Sequence, residues 1–139
     1  MKATTARSVM TENVEVIDSQ ATVLDAAKRL TDLDIGAMPI CDGERLRGML
    51  TDRDIVTKVV SQGKDPAKVR VNELETSKPV TIGADDSIEE AMRTMADHKI
   101  RRLPVIDGHR LIGMLSQADL AKALSTEQTG ELVATISSD

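Results

Sequence analysis

Residues 35–55 read IGAMPICDGERLRGMLTDRDI, and residues 100–120 read IRRLPVIDGHRLIGMLSQADL. The second stretch begins 65 positions after the first, and 10 of the 21 aligned positions are identical. Average composition would give about one or two identities by chance. The match extends upstream, pairing Ile17 with Ile82, Thr22 with Ser87, Val23 with Ile88, Ala26 with Ala91 and Leu30 with Met95. The chain is therefore an internal duplication, longer in period than the usual solenoid repeat of about 20–50 residues. One copy of about 55 residues is marginal alone. Two copies are expected to bury a shared core.

Each copy reads in the same order. Val14–Ile17 is β-branched and predicts a short strand. Thr22 is placed to cap a helix, with Asp25 three residues on and Val23, Ala26, Ala27 and Leu30 at helical spacing. Ser87-Ile88-Glu89-Glu90 matches a capping box in the second copy. Ala37–Cys41 and Leu46–Leu50 predict two strands joined through Asp42-Gly43, a strong hairpin dipeptide. A second helix is expected after Thr51, burying Ile55, Val56, Val59 and Val60 and stopping at Gly63. The fold class is α+β, with two β-α-β-β-α modules at 7–62 and 72–124. Gly63 and Pro66 mark 63–71 as a linker. Residues 125–139 form a polar tail with a short apolar segment at Leu132–Ile136, whose structure the pattern leaves open.

Composition narrows the function. The 139 residues suit one domain of ordinary size, with 40% hydrophobic and 29% charged residues. No apolar run approaches the roughly 18 residues of a membrane span, and the N-terminus has no signal-peptide pattern. A cytoplasmic protein with no membrane association is expected. The single cysteine, Cys41, excludes an intrachain disulfide and reads as a small core hydrophobe. Residues 1–70 carry 11 basic and 11 acidic groups and residues 71–139 carry 7 and 12, so the net charge of −5 lies in the second half. No basic face for nucleic acid is present. With no Phe, Trp or Tyr, the core must be aliphatic, with 7 methionines to fill gaps. His98 and His109 have no second ligand at metal spacing, so no metal site is expected. No nucleophile–base set or Gly-rich phosphate loop is present, so no catalytic residues are assigned and no enzyme is expected.

The repeated pattern "h-x-x-h-P-h-h-D", a small turn, then "G-h-h-[ST]-x-x-D-h" resembles the cystathionine-β-synthase (CBS) domain, here as a tandem pair. Its carriers are Ile35–Asp42 with Gly48-Met49-Leu50-Thr51-x-x-Asp54, and Ile100–Asp107 with Gly113-Met114-Leu115-Ser116-x-x-Asp119. The resemblance covers about residues 7–124, and the short form is similar to bacterial CBS-pair proteins of the hypoxic response type. It implies a pseudo-twofold pair with two clefts, association into a homodimer, and regulatory binding of adenine nucleotides or adenosyl compounds without catalysis.

Thr51-x-x-Asp54 and Ser116-x-x-Asp119 follow a strand and open a helix. The hydroxyl can donate to a phosphate oxygen, and the carboxylate can accept both hydrogens of a ribose cis-diol. First-turn backbone N–H groups also favour anions. Both motifs equally match a helix capping box. The two readings are not exclusive for the Ser and Thr. Arg101 and Arg102 replace Gly36 and Ala37 of the first copy, and their guanidinium groups suit phosphate. The resemblance likewise implies phosphate contacts for basic residues at this place, and it makes Ile17 and Ile82 walls of an adenine pocket. Alternation puts the two arginine side chains on opposite faces of the strand. Solvated arginines beside an acidic helix are the other reading. Arg53, replaced by Ala118 in the second copy, can contact phosphate, a partner subunit, or Asp52 or Asp54.

The expected function is sensing of AMP, ADP, ATP or another adenosyl compound, with no cofactor required. Signalling would pass through a conformational or oligomeric change, or through a protein partner not identifiable from sequence. A ligand-free stress-response scaffold that docks to a partner is the alternative.

Overall fold

The computed structural model describes residues 4–74 and 78–123. The described residues divide into two compact units, one drawn from residues 15–79 and one from residues 4–14 with 80–123. In the first unit, β1 (Ile17–Asp18) runs parallel to β2 (Ala37–Asp42), which pairs antiparallel with β3 (Arg45–Thr51). In the second, β4 (Ile82–Gly83) runs parallel to β5 (Arg102–Asp107), which pairs antiparallel with β6 (Arg110–Ser116). The registers coincide under the 65-residue offset. Ile17 opposes Ile40 and Ile82 opposes Val105; Ala37 opposes Thr51 and Arg102 opposes Ser116. Even the register shift recurs, between Ile40 and Cys41 and between Val105 and Ile106. The hairpins turn through Gly43 and Gly108, whose φ values of +57° and +64° favour glycine.

Local sequence sets the helix that follows the first strand. In α2 (Val23–Leu33) the Thr22 hydroxyl accepts the Asp25 N–H at 3.1 Å, and Val23, Ala26 and Leu30 are buried on one face. In α4 (Ile88–His98) the Ser87 hydroxyl accepts the Glu90 N–H at 3.1 Å, and Ile88, Ala91 and Met95 are buried. The expected strand at 14–17 forms only over Ile17–Asp18. Asn13, just before it, adopts positive φ and bends the backbone away from an extended path.

The helix after Thr51 opens as α3 (Asp52–Ile55) and widens into a π-helical turn over Val56–Val60. Its buried residues are Ile55 and Val59, one turn apart. Val56 and Val60, expected inside, are 56% and 60% exposed. Only the single stripe at spacing four faces the core, and the neighbouring stripe is rotated into solvent.

Residues 63–70 are exposed or half-buried, and the stretch 63–71 meets the core at its end. Val71 is fully buried, and Val69 and Leu74 lie against the first unit's core. The Val71 N–H donates to the Ala21 carbonyl at 2.8 Å and the Asn72 N–H to the Ser19 carbonyl at 2.9 Å. The N-terminal residues repeat this in the second unit. There, α1 (Ala6–Val9) buries Ala6, whose N–H donates to the Asp86 carbonyl at 2.9 Å; that of Arg7 donates to the Ala84 carbonyl at 2.9 Å. Positions 6 and 71 correspond under the offset. Each unit is thus completed by the segment that leads the other repeat.

Both cores are aliphatic. Leu50, Val59 and Met38 are buried in the first unit; Leu103, Leu115, Leu120 and Met95 are buried in the second. Cys41 is buried with its thiol free. Burial, then the Asp42 and Asp18 carboxylates, push that thiol above its ordinary pKa, which keeps it an inert core group. The apolar segment expected at Leu132–Ile136 lies outside the described residues, as does the rest of the tail.

Candidate functional site

Both strand-to-helix junctions carry a hydroxyl and a carboxylate three residues apart, and the local geometry of each is a reciprocal cap. The Thr51 N–H donates to Asp54 Oδ2 at 3.0 Å, and Thr51 Oγ1 accepts the Asp54 N–H at 3.0 Å. The Ser116 N–H donates to Asp119 Oδ2 at 2.9 Å, and Ser116 Oγ accepts the Asp119 N–H at 3.1 Å. The helix of the second junction is α5 (Gln117–Ala123). All four side chains are half-buried. Capping therefore occurs at both places and fixes the rotamers of the acids. It does not exhaust them, because a carboxylate has about four lone-pair sites.

Each acid has one further partner. Asp54 Oδ1 lies 3.2 Å from the Lys58 ammonium, one helical turn along. Burial pushes the Asp54 carboxyl up, but the Thr51 N–H and hydroxyl and the Lys58 charge outweigh it and hold it below the usual carboxylate range. Asp119 instead accepts the Thr11 hydroxyl, at 3.2 Å on Oδ1 and 3.3 Å on Oδ2. Thr11 is held by backbone bonds to Met114, with its N–H donating at 2.8 Å and its carbonyl accepting at 3.0 Å. Sequence reading missed both partners. Lys58 was legible as an i, i+4 neighbour of an acid. Thr11 carries no sequence signal, being 108 positions from Asp119.

The arginines are exposed. Arg101 precedes β5, and its carbonyl accepts the Gln117 N–H at 3.0 Å; Arg102 begins β5, opposite Ser116. The structure therefore brings Arg101 and Arg102 to the same end of the hairpin as Ser116 and Asp119. Arg53 lies exposed on α3 beside Thr51 and Asp54. Among the described residues none of these three arginines forms an ion pair. Ile17 and Ile82 are 3% and 5% exposed and belong to the two hydrophobic cores, at the strand next to each hairpin.

His98 ends α4 and His109 lies in the second hairpin turn, both exposed. Among the described residues no three His, Cys, Asp or Glu side chains are gathered for a metal ion. No described helix is long and apolar enough to cross a membrane.

The CBS domain family matches twice, over residues 6–61 and 71–126. The chain belongs to the CBS domain family. It is a tandem CBS pair, and CBS domains are regulatory modules. Hypoxic response protein 1 of Mycobacterium tuberculosis is 41% identical over 136 residues, covering 97% of this chain and 95% of that one. The fold is similar to a crystal structure of Hypoxic Response Protein I with two coordinated zinc ions. The TM-score is 0.77 at 43% identity, over 87% of this chain and 99% of that one. It is also similar to CBSX2 crystallised in complex with AMP, with a TM-score of 0.70 at 29% identity, over 86% of this chain and 95% of that one.

Proposed function

We propose that this CBS pair is a non-catalytic regulatory protein that binds an adenine nucleotide or a related adenosyl compound and signals through conformational or oligomeric change. The observation that carries the reading is the repeated hydroxyl–carboxylate junction, with two arginines beside the second copy that form no ion pair among the described residues. A carboxylate with spare acceptor sites suits a ribose diol, and a guanidinium suits a phosphate. The AMP complex of CBSX2 supports the ligand class. In this reading Asp54 and Asp119 contact ribose. Thr51, Ser116, Arg53, Arg101 and Arg102 serve the phosphates, and Ile17 and Ile82 back the base. A ligand shifts a conformational equilibrium only by contacts that differ between the two states. We place the protein in the cytoplasm as a homodimer, in a stress-response setting favoured by its likeness to Hypoxic response protein 1.

That likeness also favours the second reading, a scaffold that docks to a partner protein without a ligand. Thermal melting with an extrinsic dye separates the two, since the chain has no aromatic residue to report unfolding. The panel is AMP, ADP, ATP, NAD and S-adenosylmethionine. A ligand at 100 times its Kd is expected to add about 2.7 kcal/mol of stability. Asp119→Ala should remove most of that gain, and Asp32→Ala, on an exposed stretch of α2, should leave it. No shift with any compound would favour the scaffold, and equal losses in both variants would remove Asp119 from the ligand's contacts.

A further inference from the structure

The residues that lead the first repeat lie across the second unit and reach its candidate ribose acid. Ala6 is buried in that unit's core, with Val9 and Met10 packed against it. Thr11 is pinned to β6 from both sides, its N–H donating to the Met114 carbonyl at 2.8 Å and its carbonyl accepting the Met114 N–H at 3.0 Å. Thr11, Glu12 and Asn13 are exposed. Asn13 stands at a φ of +57°, in the left-handed region. A short exposed pairing beside a backbone bend belongs to the parts of a fold that open locally at low free energy. Ala6 has the firmer hold, because it is buried.

The Thr11 hydroxyl stands 3.2 Å from Asp119 Oδ1 and 3.3 Å from Oδ2. The near-equal distances put it in the mouth of the carboxylate, between its two oxygens. Oδ2 also takes the Ser116 N–H at 2.9 Å, and the Asp119 N–H is bound by Ser116 Oγ, which holds the acid in this orientation. A ribose cis-diol that gives one hydrogen to each oxygen needs the same mouth. The Thr11 backbone is fixed to Met114, and its Cβ carries a methyl group as well as the hydroxyl. The diol therefore enters when the segment lifts.

We infer that residues 10–13 form an autoinhibitory strap: the Thr11 hydroxyl is an internal competitor for the diol-binding face of Asp119, and the ligand binds as the strap lifts at Asn13 while Ala6 stays buried. The inference rests on the nucleotide reading above and adds the regulation of that site. A closed strap lowers the apparent affinity by the fraction of molecules that are open. By linkage, a ligand that binds only the open form favours opening to the same extent. The strap runs directly into the first unit, which begins at Glu15, so lifting it passes the signal along the chain itself.

Isothermal titration of the full chain with AMP, together with amide hydrogen exchange, tests this. Thr11→Ala removes the hydroxyl and the methyl and should bind AMP about tenfold more tightly than the wild type. Thr11→Ser keeps the hydroxyl and should stay within about threefold of the wild type. In the wild type, saturating AMP should speed exchange at the Thr11 and Met114 amides by at least about threefold. That measurement needs no variant, so it decides the question if far-UV circular dichroism shows that Thr11→Ala fails to fold. AMP affinity unchanged or weakened in folded Thr11→Ala would overturn the strap. So would equal tightening in the Ala and Ser variants, or exchange at the two amides that is unchanged or slower with AMP bound. AMP binding in neither the wild type nor any folded variant would instead overturn the nucleotide reading itself, a separate signature.

Discussion

The two units pair their strands in the same register, yet the acids at their strand-to-helix junctions are held by different neighbours. Asp54 is held by a charge from its own helix, Lys58. Asp119 is held by a neutral hydroxyl from the N-terminal segment, Thr11. The counterpart of Lys58 is Ala123, which carries no charge. Duplication preserved the backbone, whose hydrogen bonds depend little on side-chain identity. Substitution then reset the local electrostatics. The first junction is local and ionic, and the second is long-range and tied to a segment that leads the other repeat.

Equivalence of the cores is the part of this comparison with the largest energetic consequence. Leu50 and Leu115 are both fully buried at corresponding places on β3 and β6. Leu50→Ala and Leu115→Ala should each cost about 2–5 kcal/mol in urea unfolding. A wide gap between the two would show that one unit relaxes around the lost side chain, breaking the equivalence.

Next in size is the attachment of the N-terminal segment. A Cβ at Gly113 would stand 2.9 Å from the Thr11 carbonyl oxygen and 2.5 Å from Met10 Sδ. The methionine can swing aside, but the backbone oxygen cannot without moving the segment. Gly113→Ala should destabilise the protein by about 1–3 kcal/mol and speed proteolysis within residues 4–14. Unchanged proteolysis would mean that the segment holds its place by other contacts.

The smallest effect sharpens the contrast between the acids. Asp54 has a folded pKa below its unfolded value of about 3.9. Its ionised form therefore contributes stability that is complete above about pH 5 and is lost as pH falls through the folded pKa. Asp54→Asn keeps an acceptor for the Thr51 N–H but removes the titration. Its melting temperature should fall less than that of the wild type between pH 6 and pH 3. Parallel curves would mean that the carboxylate's partners do not distinguish folded from unfolded chain.

Much of this architecture could be read locally. The turn glycines at 43 and 108 and the capping hydroxyls of Thr22 and Ser87 act over three or four residues, within the reach of sequence patterns. The candidate site was partly legible for the same reason, since Thr51-x-x-Asp54 and Ser116-x-x-Asp119 close on themselves. The packing of Val69 and Val71 at the end of 63–71 was hidden by Gly63 and Pro66, which punctuate the chain without preventing these two residues from reaching the core. The exposure of Val56 and Val60 was hidden because an apolar run does not say which stripe meets the sheet.

The amino-acid order alone was enough to specify the duplication, the repeated hairpins and the two capped acids, because each arises from interactions between residues a few positions apart. The partner of Asp119 and the burial of Val71 against the first repeat arise from chain-distant packing. Short-range hydrogen bonds follow from spacing, whereas the neighbours a side chain meets from far along the chain depend on how every other element has already folded.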